Sequence, residues 1–158
     1  MEYSLSEASP MSLPDSVVKP GDSSQLTCLQ NHGQNGLGLN LDFIKVVGFQ
    51  IAEVLRLFSM KGLSLIHGGI KPGNIFFKQE GVPQFKLLDF SAAFFLDEQP
   101  EEILHAKSSY TAPELEAYAQ AKNREEKAAI RLDRVDQWAL GCLLYELHFK
   151  VQVDRANV

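Results

Sequence analysis

Asn74 and Asp89 are the residues around which chemistry can be built. Both carry side-chain oxygens, and they stand 15 positions apart. Between them "NIFFK" and "QFKLLDF" read as two short apolar strands, joined by "QEGVPQ", whose Gly81 and Pro83 suit a turn. A hairpin folds the chain back, so the two side chains can converge at one end of the strands. Oxygen ligands placed this way suit Mg²⁺, which takes one or two protein oxygens and completes its shell with phosphate and water. Lys71, three residues before Asn74, is placed to meet a phosphate oxygen. Together they would suit a nucleoside triphosphate. Asn74 and Asp89 also fit as plain caps at strand ends, and spacing alone leaves both readings open.

The elements that must hold these residues follow from apolar periodicity. Ile44, Val47, Ile51, Leu55 and Phe58 recur every three or four positions, which predicts a helix over 41–61. Asn40 can cap it, and Gly62 can take the left-handed conformation that ends it. Phe43, Val46, Val54 and Leu57 widen its apolar face, so it is expected to be deeply buried. A second helix over 135–149, "VDQWALGCLLYELHF", is apolar on nearly every side and is expected to be buried too. Between them the chain is polar and irregular over 97–109. Over 114–132 it is rich in Ala, Glu, Lys and Arg, a helix-favouring, solvated stretch.

Residues 1–40 are rich in Ser, Pro, Gly and Asp and read as a flexible segment. Gly36 and Gly38 in it follow no strand, so they read as a plain loop. The domain expectation is therefore a flexible 1–40, a folded 41–150 and a tail over 151–158.

Composition narrows the function. The formal net charge of −5 argues against a nucleic-acid binder. No apolar stretch reaches the length of a membrane span, and no secretory leader is visible. Cys28 and Cys142 make no disulfide framework, and the four histidines lack metal-ligand spacing. An intracellular, cytoplasmic setting is expected.

The order of the pieces resembles the eukaryotic-type protein kinase family. "HGGIKPGN" is similar to the kinase catalytic loop H-R-D-L-K-P-x-N, matched at His67, Lys71, Pro72 and Asn74. "DFS" at 89–91 resembles D-F-G. "YTAPE" at 110–114 looks like Y-x-A-P-E. "VDQWALGCLLYEL" resembles the D-x-W-S-L-G-x-x-L-Y-E-L helix. The lysine in "IKPGN" is similar to Ser/Thr-specific kinases. The resemblance implies a mainly α C-lobe fragment with a small β-hairpin, and ATP and Mg²⁺ as cofactors. It also implies proteins as substrates or partners. Asn74 and Asp89 would ligate Mg²⁺, and Lys71 would approach the transferred phosphoryl group. His67 and Phe90 would stack as packing residues, Asp136 would hold the loop backbone, and Glu114 would pair with a later arginine. "MEY" at the start resembles the hinge between kinase lobes. On that reading Glu2 and Tyr3 would lie at the nucleotide and the N-lobe would be absent.

The departures bear on activity. Gly69 occupies the place of the aspartate that accepts the substrate proton. A general base is worth about 10²–10⁴ in rate, or about 3–5 kcal/mol of barrier. Gly68 replaces an arginine, Ser91 replaces the glycine of D-F-G, and Lys107 stands where a threonine is usual. The chain therefore reads as a kinase-domain protein that is catalytically impaired and acts by binding. The alternative is an ATP-dependent Ser/Thr kinase within a longer two-lobed chain. A gene fragment with no independent function is compatible with the first.

Overall fold

The computed structural model describes residues 26–32, 39–60, 62–78, 83–98 and 108–154. The elements run β1 (Thr27–Cys28), α1 (Leu29–His32), α2 (Leu41–Phe58), β2 (Leu65–Ile66), a 3₁₀ turn (Pro72–Asn74), β3 (Ile75–Lys78), β4 (Gln84–Leu87), β5 (Phe94–Phe95), a second 3₁₀ turn (Leu96–Glu98), α3 (Pro113–Gln120), α4 (Arg124–Ala128) and α5 (Val135–Phe149). About half of the described residues are helical, with two small antiparallel sheets.

The helix α2 begins where its cap requires. The Asn40 side chain accepts the Phe43 amide at 2.7 Å, which satisfies one of the open donors of the first turn. Its end differs from expectation. The helix stops at Phe58, and Ser59 closes it by donating from both its amide and its hydroxyl to the Leu55 carbonyl. Gly62 is left-handed, with φ +93°, but lies in the turn beyond.

Ile44, Val47, Ile51 and Leu55 face Leu140, Leu143 and Leu147 of α5, with Leu29, Ile75 and Phe77 closing the same core. Each fully buried aliphatic or aromatic side chain contributes about 1.5–3 kcal/mol of transfer free energy. The expected deep burial holds for part of each helix only. Phe49 of α2 is 70% exposed and Phe149 of α5 is 56% exposed. α2 buries one stripe in this core, whereas α5 gives Leu140, Leu143 and Leu147 to it and Val135 to a second core.

The expected hairpin forms. β3 and β4 pair antiparallel, from Ile75 opposite Leu87 to Lys78 opposite Gln84. Its tip residues 79–82, Gly81 among them, lie outside the described residues. α2 grips the hairpin through Gln50. Its amide donates to the Pro83 carbonyl and accepts the Phe85 amide, both at 2.9 Å. Phe43 adds edge-on contacts to Phe77 and Phe85.

Three sequence expectations change here. Part of the segment taken as flexible is ordered: β1 pairs with β3 (Thr27 opposite Phe77), and Leu29 is only 1% exposed. The free edge of β3 offered unpaired backbone groups, and a two-residue strand satisfies them. The hairpin is thus a three-stranded sheet. A second sheet, β2 with β5, was also not expected. The helix-favouring stretch over 114–132 carries two helices, α3 and α4. Asn123 starts α4 by accepting the Glu126 amide, while Glu126 accepts the Lys122 amide. That is a capping arrangement that begins α4, while Ala121 closes α3 through its amide to the Ala117 carbonyl. Nor is the stretch wholly solvated. Leu115, Tyr118 and Leu132 form a second core with Ile66, Phe94 and Val135.

Candidate functional site

The loop from His67 to Lys71 lies between β2 and the first 3₁₀ turn, and it is held from α5. The Asp136 carboxylate accepts the His67 amide at 2.7 Å and the Gly68 amide at 2.9 Å. Asp136 is buried, and burial pushes its carboxyl above the ordinary value, with the two amides opposing. One side chain thus fixes two successive peptide groups across 69 positions of sequence.

His67 lies beneath the loop, with no exposed surface. Its Nδ1 accepts the Gly69 amide at 3.2 Å, which leaves the proton on Nε2. Burial holds the imidazole below its ordinary value, with the Leu88 backbone and the Asp89 carboxylate opposing. Phe90 lies against the His67 ring, centroids 4.5 Å apart, and edge-on to Phe58 at 6.0 Å. Its outer face is open, at 47% exposure.

Asn74 is buried. Its Nδ2 donates to the Gly69 carbonyl at 2.9 Å, which leaves its oxygen end for other partners. Backbone joins the two candidate ligands' neighbourhoods, since the Leu88 amide donates to the Asn74 carbonyl. Asp89 is exposed and left-handed, with φ +64°. Its Oδ1 accepts the Ser91 hydroxyl at 2.6 Å and the Ser91 amide at 3.3 Å. Those hydrogen bonds hold its carboxyl below the ordinary value, helped by the nearby Lys71 and His67. Lys71, Asn74, Asp89 and Ser91 line one pocket of about 380 Å³ with Gly68 and Gly69.

That donor set can be weighed against a divalent cation. Among the described residues no group of three or more His, Cys, Asp or Glu could hold a metal. One amide oxygen and one carboxylate oxygen are too few for a closed protein site. They fit Mg²⁺, which keeps waters and takes the rest of its shell from phosphate.

The two glycines of the loop differ physically. Gly68 has φ +69°, and a Cβ there would fall 2.5 Å from the Ala92 carbonyl oxygen. Gly69 has an ordinary φ, and a Cβ would meet the Asn74 amide at 3.3 Å. Gly68 is therefore required by this backbone, whereas Gly69 tolerates a side chain if Asn74 shifts slightly.

The remaining titratable groups around the pocket are committed elsewhere. Tyr110 donates its hydroxyl to the Glu146 carboxylate. Burial, then that partner, push the phenol well above its ordinary value. Thr111 is buried, and its hydroxyl accepts the Ser108 amide at 3.0 Å. The Tyr110–Glu146 pair and the Ser108–Thr111 turn escaped sequence reasoning. A tyrosine and a glutamate 36 positions apart carry no local signal. Ser108 and Thr111, at turn spacing, did carry one.

Glu114 is partly exposed, and no ion pair joins it to an arginine among the described residues. Glu2, Tyr3 and Lys107 lie outside the described residues.

The family model for the protein kinase domain matches residues 20–156. The chain belongs to the protein kinase family. It is 28% identical over 120 residues to dual specificity tyrosine-phosphorylation-regulated kinase 2 of Drosophila melanogaster, covering 76% of this chain and 14% of the relative. It is 30% identical over 118 residues to probable serine/threonine-protein kinase mps1 of Dictyostelium discoideum, covering 71% and 11%. The yeast glycogen synthase kinase-3 homolog YGK3 of Saccharomyces cerevisiae is 29% identical over 121 residues, covering 75% and 29%. The chain thus spans less than a third of the length of these curated relatives. The family as a whole works with ATP, magnesium and protein substrates. No helix among the described residues is long and apolar enough to cross a membrane.

Proposed function

We propose that this chain is a kinase-fold domain impaired in phosphoryl transfer, which acts by binding a protein partner inside the cell. Its fold corresponds to part of the kinase C-lobe. The observation that carries this reading is that the described pocket residues able to accept a proton are committed to other roles. Asp136 is taken up by the loop amides, Tyr110 by Glu146, and Gly69 offers no side chain. Asp89 remains, and its role is that of a cation ligand. Among the described residues lining the pocket, no group is left to accept a proton from a substrate hydroxyl.

The binding half of the site is better provided. Asn74 and Asp89 would hold Mg²⁺ through one oxygen each, and Lys71 would neutralise phosphate charge. The cation would shield the triphosphate charge. His67 and Asp136 keep the loop in place beneath it. These retained residues also favour a second reading, an ATP-dependent Ser/Thr kinase within a longer two-lobed chain.

Transfer of labelled phosphate from Mg·ATP to a protein substrate separates the two. The purified chain is expected to match its Asp89→Ala variant. Transfer well above that variant would favour the kinase reading.

A further inference from the structure

Ser91 is bonded to one oxygen of Asp89 only. Its hydroxyl donates to Oδ1 at 2.6 Å, and its amide donates to the same atom at 3.3 Å. Both donors come from one residue, so Oδ1 is enclosed from one side. Asp89 stands at φ +64°, a conformation that short polar side chains tolerate because they can bond to nearby chain. Ser91 supplies that bond, and it lines the same pocket as Asn74 and Lys71.

Divalent cations differ in what they ask of a carboxylate. Mg²⁺ demands near-octahedral geometry and takes single oxygens. Ca²⁺ is larger, accepts more ligands, and often takes both oxygens of one carboxylate. With Oδ1 held by two donors, Asp89 presents Oδ2 alone. A glycine in place of Ser91 would supply the amide but not the hydroxyl.

We infer that the Ser91 hydroxyl is a positioning group that makes Asp89 a one-oxygen ligand and so selects Mg²⁺ over Ca²⁺ at this site. The inference rests on the cation-binding reading above. It adds a role for a residue at which this chain departs from the usual D-F-G glycine.

Calorimetric titration of Mg²⁺ and of Ca²⁺ tests it, with the full chain and an ATP analogue whose β–γ bond cannot be cleaved. Ser91→Ala is expected to raise the Ca²⁺-to-Mg²⁺ affinity ratio several-fold. Ser91→Thr, which keeps the hydroxyl, is expected to leave the ratio unchanged. An unchanged ratio in Ser91→Ala, with cation binding still abolished in Asp89→Ala, overturns the role of Ser91 alone. Absence of cation binding by the unsubstituted chain, or binding unmoved by Asp89→Ala, overturns the cation reading and this inference with it.

Discussion

Gly68 and Ala92 approach so closely that a Cβ on Gly68 would lie 2.5 Å from the Ala92 carbonyl oxygen. Gly68 is thus locked as glycine by the segment that follows Asp89. The adjoining Gly69 is not. The two departures from the kinase loop are therefore unequal, since one is built into the backbone and the other leaves room for a side chain.

Gly68→Ala is expected to destabilise the fold by about 2–5 kcal/mol, from a left-handed φ and a steric clash together. Gly69→Ala should cost under about 1 kcal/mol, since only the Asn74 amide must give way. Urea unfolding of both variants measures the difference. Equal costs would mean that the Gly68–Ala92 approach is not maintained in solution. By the same geometry Gly69→Asp should fold, while Gly68→Arg should not.

Asp136→Ala leaves two amides without acceptors beneath the loop. Each orphaned buried donor costs roughly 1–3 kcal/mol. A loss of at least about 2 kcal/mol is expected on denaturant unfolding. Amide exchange at His67 and Gly68 should quicken as well. A variant as stable as the parent would show that the loop is held by other means.

His67 makes stability depend on acid. Its folded pKa lies below the ordinary value of 6.5 because burial disfavours the charged ring. Between those two values the unfolded chain binds the extra proton. Stability from His67 is therefore full above pH 6.5 and is lost as pH falls towards the folded value. Asp136, raised by burial, acts in the opposite sense just above its ordinary carboxylate value. The neutral variant His67→Gln should flatten the acid limb of a plot of stability against pH. An unaltered slope would count against a buried neutral imidazole.

Phe49 and Phe149 are the most open large apolar side chains on α2 and α5. Exposed apolar surface of this kind favours self-association. Phe49→Ser combined with Phe149→Ser should lower the sedimentation-measured association of the chain. The midpoint of unfolding should stay close to that of the parent, since neither residue belongs to the core. A sharp drop in stability would place these side chains in packing instead.

The sequence made the long elements and the site legible for definite reasons. Apolar spacing of three and four marks α2, and Asn40 marks its start. The strands of the hairpin show as short apolar runs around turn residues. The loop residues His67, Lys71 and Asn74 stand out by type and order. What escaped was set by tertiary pairing. Thr27–Cys28 is a strand only because β3 has a free edge, and Leu65–Ile66 only because Phe94–Phe95 lies opposite. The break at Asn123 could have been read from its capping spacing to Glu126. The exposure of Phe49 could not, because apolar type does not say which side the neighbours occupy. Gly68 looked like a simple loss of an arginine, and only the Ala92 carbonyl reveals a steric requirement.

The central claim is that this kinase-family chain lacks a proton acceptor at Gly69. It is tested most directly by phosphate transfer from Mg·ATP to a library of serine- and threonine-containing peptides, measured beside Asp89→Ala. Loss of a general base alone lowers the rate by about 10²–10⁴. Phosphopeptide formation is expected to be indistinguishable between the two proteins. Formation by the unsubstituted chain well above Asp89→Ala would contradict it.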